Sequence, residues 1–120
     1  MRTKTYSLIA ATLLSAASLS VAAAPVTVAC PSDFHKLTVP SDAKQCQQFD
    51  ATLPATLVFY SSTPQQSLID HFQASYPGMA VVASVQGRTL LTANNDNVRV
   101  IISPDNKGSQ VDMMVLGEQE

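Results

Sequence analysis

"MAVVASVQGRTLLTANNDNVRVIISPDNKGSQVDMMVL" occupies residues 79–116, and its reading decides the fold. Three turn signals divide it. Gln86-Gly87 joins 79–85 to 88–93 as a two-residue turn, with glycine where a positive φ is wanted. The run 94–97, Asn-Asn-Asp-Asn, leads into 98–102. The run 103–108, with Pro104, Asp105 and Gly108, leads into 109–116. The segments between are rich in Val, Ile, Leu and Thr, residues that suit strands. The stretch is therefore expected to fold as a four-stranded antiparallel meander.

Register tests that expectation. Centring each turn sets Val82 opposite Leu91, Leu91 opposite Val100, and Val100 opposite Val111. The neighbouring layers are then Ala80–Ala93–Val98–Met113 and Ser84–Thr89–Ile102–Ser109. Side chains alternate along a strand, so all of these fall on one face. That face is mostly apolar. The same register places Arg99 opposite Asp112 on the other face, as an exposed cross-strand ion pair. The other face also carries Met79, Val81, Ala83, Val85, Leu90, Ile101, Met114 and Leu116, among Arg88, Thr92 and Gln110. A solvated face is usually more polar. Either the preceding segment covers it or a second protein does.

Working toward the N-terminus, 63–78 (TPQQSLIDHFQASYPG) reads as a helix. Thr63 is an expected N-cap, Pro64 the first helical residue, and Gln66 the partner in a capping box. Leu68, Ile69, Phe72 and Tyr76 recur at helical spacing and form the face that covers the sheet. Pro77-Gly78 ends the helix. Before it, 55–61 (ATLVFYS) is a strand that starts after Pro54. Its place in the sheet is open. The expected fold class is α+β: strand, helix and meander, with an N-terminal disulfide-stapled segment.

That segment, 24–52, is punctuated by Pro25, Pro31 and Pro40 and reads as irregular, with a short helical turn over 42–49. It holds the chain's two cysteines, Cys30 and Cys46, with His35 between them. The redox compartment decides their chemistry. The chain opens with Arg2 and Lys4, a hydroxyl-diluted apolar run over 8–21, and Val21-Ala22-Ala23, which is the order of a cleaved signal peptide over 1–23. The run is too short and too hydroxyl-rich for the roughly 20 apolar residues of a membrane anchor. Lipid attachment at Cys30 would need the apolar run directly before it, whereas Thr27-Val28-Ala29 stands there. The expected location is the periplasm or the exterior. No Asn-x-Ser/Thr acceptor occurs, in keeping with a bacterial envelope protein. In an oxidising compartment two cysteines in a small domain are expected to pair. A redox pair would favour Cys-x-x-Cys. Zinc would need further ligands, for which only His35, His71 or Asp33 stand near in sequence or type.

Residues 24–120 suit one domain of 97 residues. Without Arg2 and Lys4 they carry five basic and nine acidic residues, a net −4 with no basic cluster. Nucleic acid and anionic membranes are therefore not expected partners, and no stable anchor is expected. No catalytic constellation is visible. Asp70 and His71 are adjacent on a helix and point about 100° apart. His71 is expected at the surface. No Gly-x-Ser-x-Gly or phosphate loop occurs, and 94–97 has one acid where calcium would want several. The tail 117–120 is expected to fray.

The functional expectation is a small interaction module, without catalytic activity or cofactor. Its partner would be an envelope component, a foreign effector or another copy. Its candidate contacts are Val81, Val85, Leu90, Arg99, Ile101, Met114 and Leu116. The alternative is a carrier of a small apolar ligand in a helix–sheet groove lined by Tyr60, Phe72 and Tyr76.

Overall fold

A computed structural model describes residues 26–50 and 52–117. The expected signal peptide, its cleavage site and the last three residues of the tail lie outside them. The chain forms β1 (Val26–Thr27), β2 (Asp33–Phe34), β3 (Leu37–Thr38), β4 (Lys44–Phe49), β5 (Ala55–Ser61), α1 (Gln65–Ser75), β6 (Ala80–Val85), β7 (Arg88–Ala93), β8 (Val98–Asp105) and β9 (Gly108–Val115). Seven strands make one sheet in the order β1-β4-β5-β9-β8-β7-β6, and β2 and β3 form a separate small hairpin. Every pairing is antiparallel. The fold is one helix on an antiparallel sheet, the α+β class expected.

The meander β6–β9 is present. Gln86 and Gly87 both take positive φ, 52° and 81°, and close the first hairpin as expected. The strand of unknown position, β5, joins beside the last strand. It pairs residue for residue with β9, from Ala55↔Val115 to Ser61↔Ser109. The chain then crosses the sheet through α1 to reach β6 at the far edge.

Alternation along β5 sorts the two faces. Ala55, Leu57, Phe59 and Ser61 are buried, while Thr56, Val58 and Tyr60 are half-buried on the opposite side. The buried set joins Leu68 and Phe72 of α1, Leu91, Val98, Val100, Ile102, Val111, Met113 and Val115 in one core. An 11-residue helix is marginal alone in water. Burying Leu68 and Phe72, each contributing about 1.5–3 kcal/mol, holds it on the sheet. Gly78, at φ +81°, turns the chain out of the helix.

Six expectations are corrected. First, the described part of 24–52 is only partly irregular, with strands at 26–27, 33–34, 37–38 and 44–49, and 42–49 holds no helical turn. Lys44–Phe49 is strand β4, paired with β5 across a bulge between Lys44 and Gln47. Cys46 points into the core between exposed Gln45 and Gln47, a period-two burial that pairing with β5 imposes on weak strand formers. Second, of the two covers left open for the second sheet face, the described part of the stapled segment is not one. β4 and β1 widen the sheet at its edge, and Phe34, Leu37 and Val39 enter the helix-side core. Third, Thr63 does not cap the helix by its side chain. The structure places Pro64 at the N-cap with no side-chain cap bond, because the Thr63 hydroxyl is drawn to Asp42.

Fourth, the last hairpin is tighter than centring implied. Its turn is Asn106-Lys107, with Asn106 at φ 58°, and Val100 pairs with Met113 rather than Val111. A shift of two keeps the apolar face intact. Fifth, Arg99 lies opposite Met114, and Asp112 opposite Ile101, so the expected ion pair is not formed. Sixth, a bulge between Val81 and Ala83 sets Val81 opposite buried Leu91, on the helix side. Met79 is also in the core, at 6 % exposure.

The expected Cys30–Cys46 disulfide is present, with Cα atoms 5.2 Å apart. Closing a loop of 16 residues restricts the unfolded chain by about 3 kcal/mol. Replacing both cysteines with serine should lower unfolding stability by about that amount in urea titrations, with little change at neutral pH in the far-ultraviolet spectrum. Gly108 offers a second check. A Cβ there would run into the Ser61 carbonyl oxygen and the Tyr60 hydroxyl. Gly108→Ala should cost about 1–3 kcal/mol, read by the same titration.

Candidate functional site

Two surfaces carry polar or apolar side chains beyond what the core needs. One is the side of the sheet away from the helix. Leu90, Thr92, Arg99, Ile101, Asp112 and Met114 are half-buried there, shielding one another, and Val85 and Leu116 are exposed at 65 % and 40 %. Among the described residues no helix or hairpin lies over this side. Arg99 donates through Nε to the Asp96 carbonyl at 3.1 Å, which tethers it to the preceding turn. Gln110 donates to Asp112 at 3.2 Å. At one end of this side a shallow depression of about 480 Å³ is lined by Thr27, Gln45, Gln47, Val58, Tyr60 and Gln110 among others.

Of the seven expected contact residues, Val85, Leu90, Arg99, Ile101, Met114 and Leu116 share or border this side. Val81 does not, for the bulge rotates it to the helix side. The expected groove is not assembled. Tyr60 stands on the open side of β5, whereas Phe72 and Tyr76 are buried on the helix side, at 0 % and 8 % exposure. The sheet separates them.

The second surface lies between the first half of α1 and the chain leading to β4. Thr38, Pro40, Asp42, Thr63, Ser67 and His71 line a depression of about 400 Å³ there. Its centre is Asp42. The Ser61 hydroxyl donates to both carboxylate oxygens, at 3.0 and 2.8 Å, and the Thr63 hydroxyl donates to Oδ2 at 2.8 Å. Burial of the carboxyl acts to raise its pKa. The Thr63 and Ser61 hydroxyls and the backbone N–H groups of Ser62 and Thr63 outweigh it, so Asp42 titrates below the usual value of 3.8. So acidic a carboxylate is a poor proton acceptor at neutral pH, and Ser61 is fully buried. The cluster works as a clamp. It satisfies the turn from β5 to α1 and fastens the stapled segment to it.

His71 is half-buried at the surface, and its Nε2 lies 2.8 Å from the Thr38 carbonyl, joining helix and hairpin. The Ser75 hydroxyl donates back to the His71 carbonyl. His35, expected in a loop, takes φ 46° in the β2–β3 turn and packs edge-on to Phe34. Among the described residues no three His, Cys, Asp or Glu side chains gather for a metal. No helix among them is long and apolar enough to cross a membrane.

The clamp was missed in the sequence because Asp42 and its hydroxyls are 19–21 residues apart. The Ser-Ser-Thr run after β5 was its one local sign. The chain matches no family model, no curated protein and no solved structure.

Removing the Asp42 carboxylate would leave the buried Ser61 hydroxyl without an acceptor for its proton, its oxygen still accepting from the Thr63 N–H at 3.1 Å. Asp42→Ala should therefore cost about 1–3 kcal/mol at pH 6. A depressed folded pKa means the carboxylate stabilises the fold above the ordinary aspartate range, and this is lost as pH falls through the folded value, below 3.8. The gap between wild type and Asp42→Ala in urea stability should narrow in that acidic window. A gap independent of pH would refute the charged clamp.

Proposed function

We propose that the protein is an exported interaction module, periplasmic or secreted, that binds another protein through the open side of its sheet and performs no catalysis. One observation carries the reading. Leu90 lies opposite Ile101 on that side, and Met114 lies diagonal to Ile101 across from Arg99, with Val85 and Leu116 exposed at the ends and no described element over them. Such a patch rimmed by polar groups suits a protein interface. Arg99, Gln110 and Asp112 are the polar groups that would set orientation. The disulfide and the signal-like opening of the chain support export.

The stapled segment favours this reading as well. It widens the sheet and fills the helix-side core, which leaves the open side free for a partner. The partner class is an envelope protein or a foreign effector. Nucleic acid and anionic lipid would find a net negative chain.

The test is a crosslinked pull-down from the host's own envelope extract. Wild-type bait should capture a partner that an Ile101→Asp, Met114→Asp bait loses. Both side chains are half-buried on the open side, so each variant is first checked for unchanged secondary structure and cooperative unfolding. Equal capture by the two baits would sink the assignment to this face.

A further inference from the structure

We infer that strand β6 is a self-pairing edge, through which two copies of this chain join their sheets into one continuous antiparallel sheet. Among the described residues β6 is the last strand at its side of the sheet, paired only with β7. All six of its residues are exposed, and Val81, Val82 and Val85 are exposed by 43 %, 56 % and 65 %. Nothing described covers the strand on either face or along its rim.

An edge strand normally carries a charge, a proline or a cover, because its free N–H and C=O groups invite another strand. β6 carries none of these. From Phe72 to Gly87 the chain holds no charged residue at all. The one deterrent is the bulge at Val81–Val82, and Ala83 to Val85 beyond it pair with β7 in plain register. Exposed valines on an unpaired edge are costly to leave in water and favourable to cover.

The occupant follows from what the edge accepts. It needs an extended, uncharged, β-branched strand that itself lacks a partner. A second β6 has each of these properties. Antiparallel pairing about a twofold axis repeats on both copies the relation that already holds between every neighbouring pair of strands in the sheet. It also brings no like charges together, although the chain as a whole is negative. A six-residue strand covers less than the roughly 800 Å² per partner of a standard interface. The dimer is accordingly reversible and dilution-sensitive. It is independent of the partner proposed for the open side, since β6 pairs through its rim.

Sedimentation velocity on the protein purified after export, with its disulfide intact, tests this across concentration. Wild type should be dimeric at several hundred micromolar and largely monomeric near about 1 µM, the range of a small interface. Ser84→Lys puts a charge on each copy beside the axis at an exposed site. It should leave the fold unchanged by circular dichroism and weaken association at least tenfold. Hydrogen exchange adds a direct readout: amides of β6 should gain protection with concentration in wild type and not in the variant. A protein monomeric throughout, or a dimer that Ser84→Lys leaves intact, overturns the inference. So does a dimer whose concentration-dependent protection lies on β7–β9 and spares β6. Should Ser84→Lys fail to fold, Val82→Lys, also at an exposed site of β6, replaces it, with the same expected loss.

Discussion

The seven-residue ladder between β5 and β9 is the constraint on which the rest of the molecule depends. It joins the first long strand to the last, across the whole of α1 and the three hairpin strands before β9. Because β5 is antiparallel to β9, the chain leaves β5 at the end from which α1 can run back over the apolar face. The helix then delivers the chain to the far edge, where β6 begins. Without this ladder, β1, β4 and β5 would be separated from the meander, since they join it only through β5. Its closure entropy must be met before any of the core around Leu57, Phe59 and Val111 is rewarded, which points to folding slower than a helical bundle of equal length.

The Asp42 clamp and the disulfide then act on the same weakness. The first three strands, β1, β2 and β3, are two residues each. Short strands of this kind do not hold by pairing alone. Cys46 is tied back to Cys30, and Asp42 is tied forward to Ser61 and Thr63. Between these two ties, Phe34, Leu37 and Val39 are presented to the core beside α1. A poor local sequence is thereby made into the rim of a common core.

What was legible in the sequence follows the range of the forces involved. Gln86-Gly87 and the Asn-rich run 94–97 mark their turns because positive φ is a local demand, met by local residue types. β5 was legible from its β-branched and aromatic content, and Pro77-Gly78 from the need to leave a helix. Strand β4 was not. Lys-Gln-Cys-Gln-Gln-Phe has weak strand preference, and only the neighbouring β5 makes it extended. The bulge that moves Val81 to the helix side adds one residue without any glycine to announce it. The last hairpin moved by two residues because Asn106 can adopt a left-handed φ and so shorten the turn. On the candidate site, alternation correctly grouped Leu90, Ile101 and Met114. It misplaced Val81, and the grouping of Tyr60 with Phe72 and Tyr76 put residues from opposite sides of a sheet together.

The two rims of the sheet are unlike. At the rim opposite β6, β1 as described is two residues long, and the part of β4 beyond it carries Lys44 and a bulge with Gln45 at φ 56°. Charge, brevity and a kinked backbone are what discourage strand addition. A sheet open at both rims can recruit neighbours without end and seed fibrils. A sheet with one receptive rim exhausts its valency in a single event. If β6 pairs with a second copy as inferred, the asymmetry between β1 and β6 acts as a chain terminator, limiting strand-by-strand growth to one step.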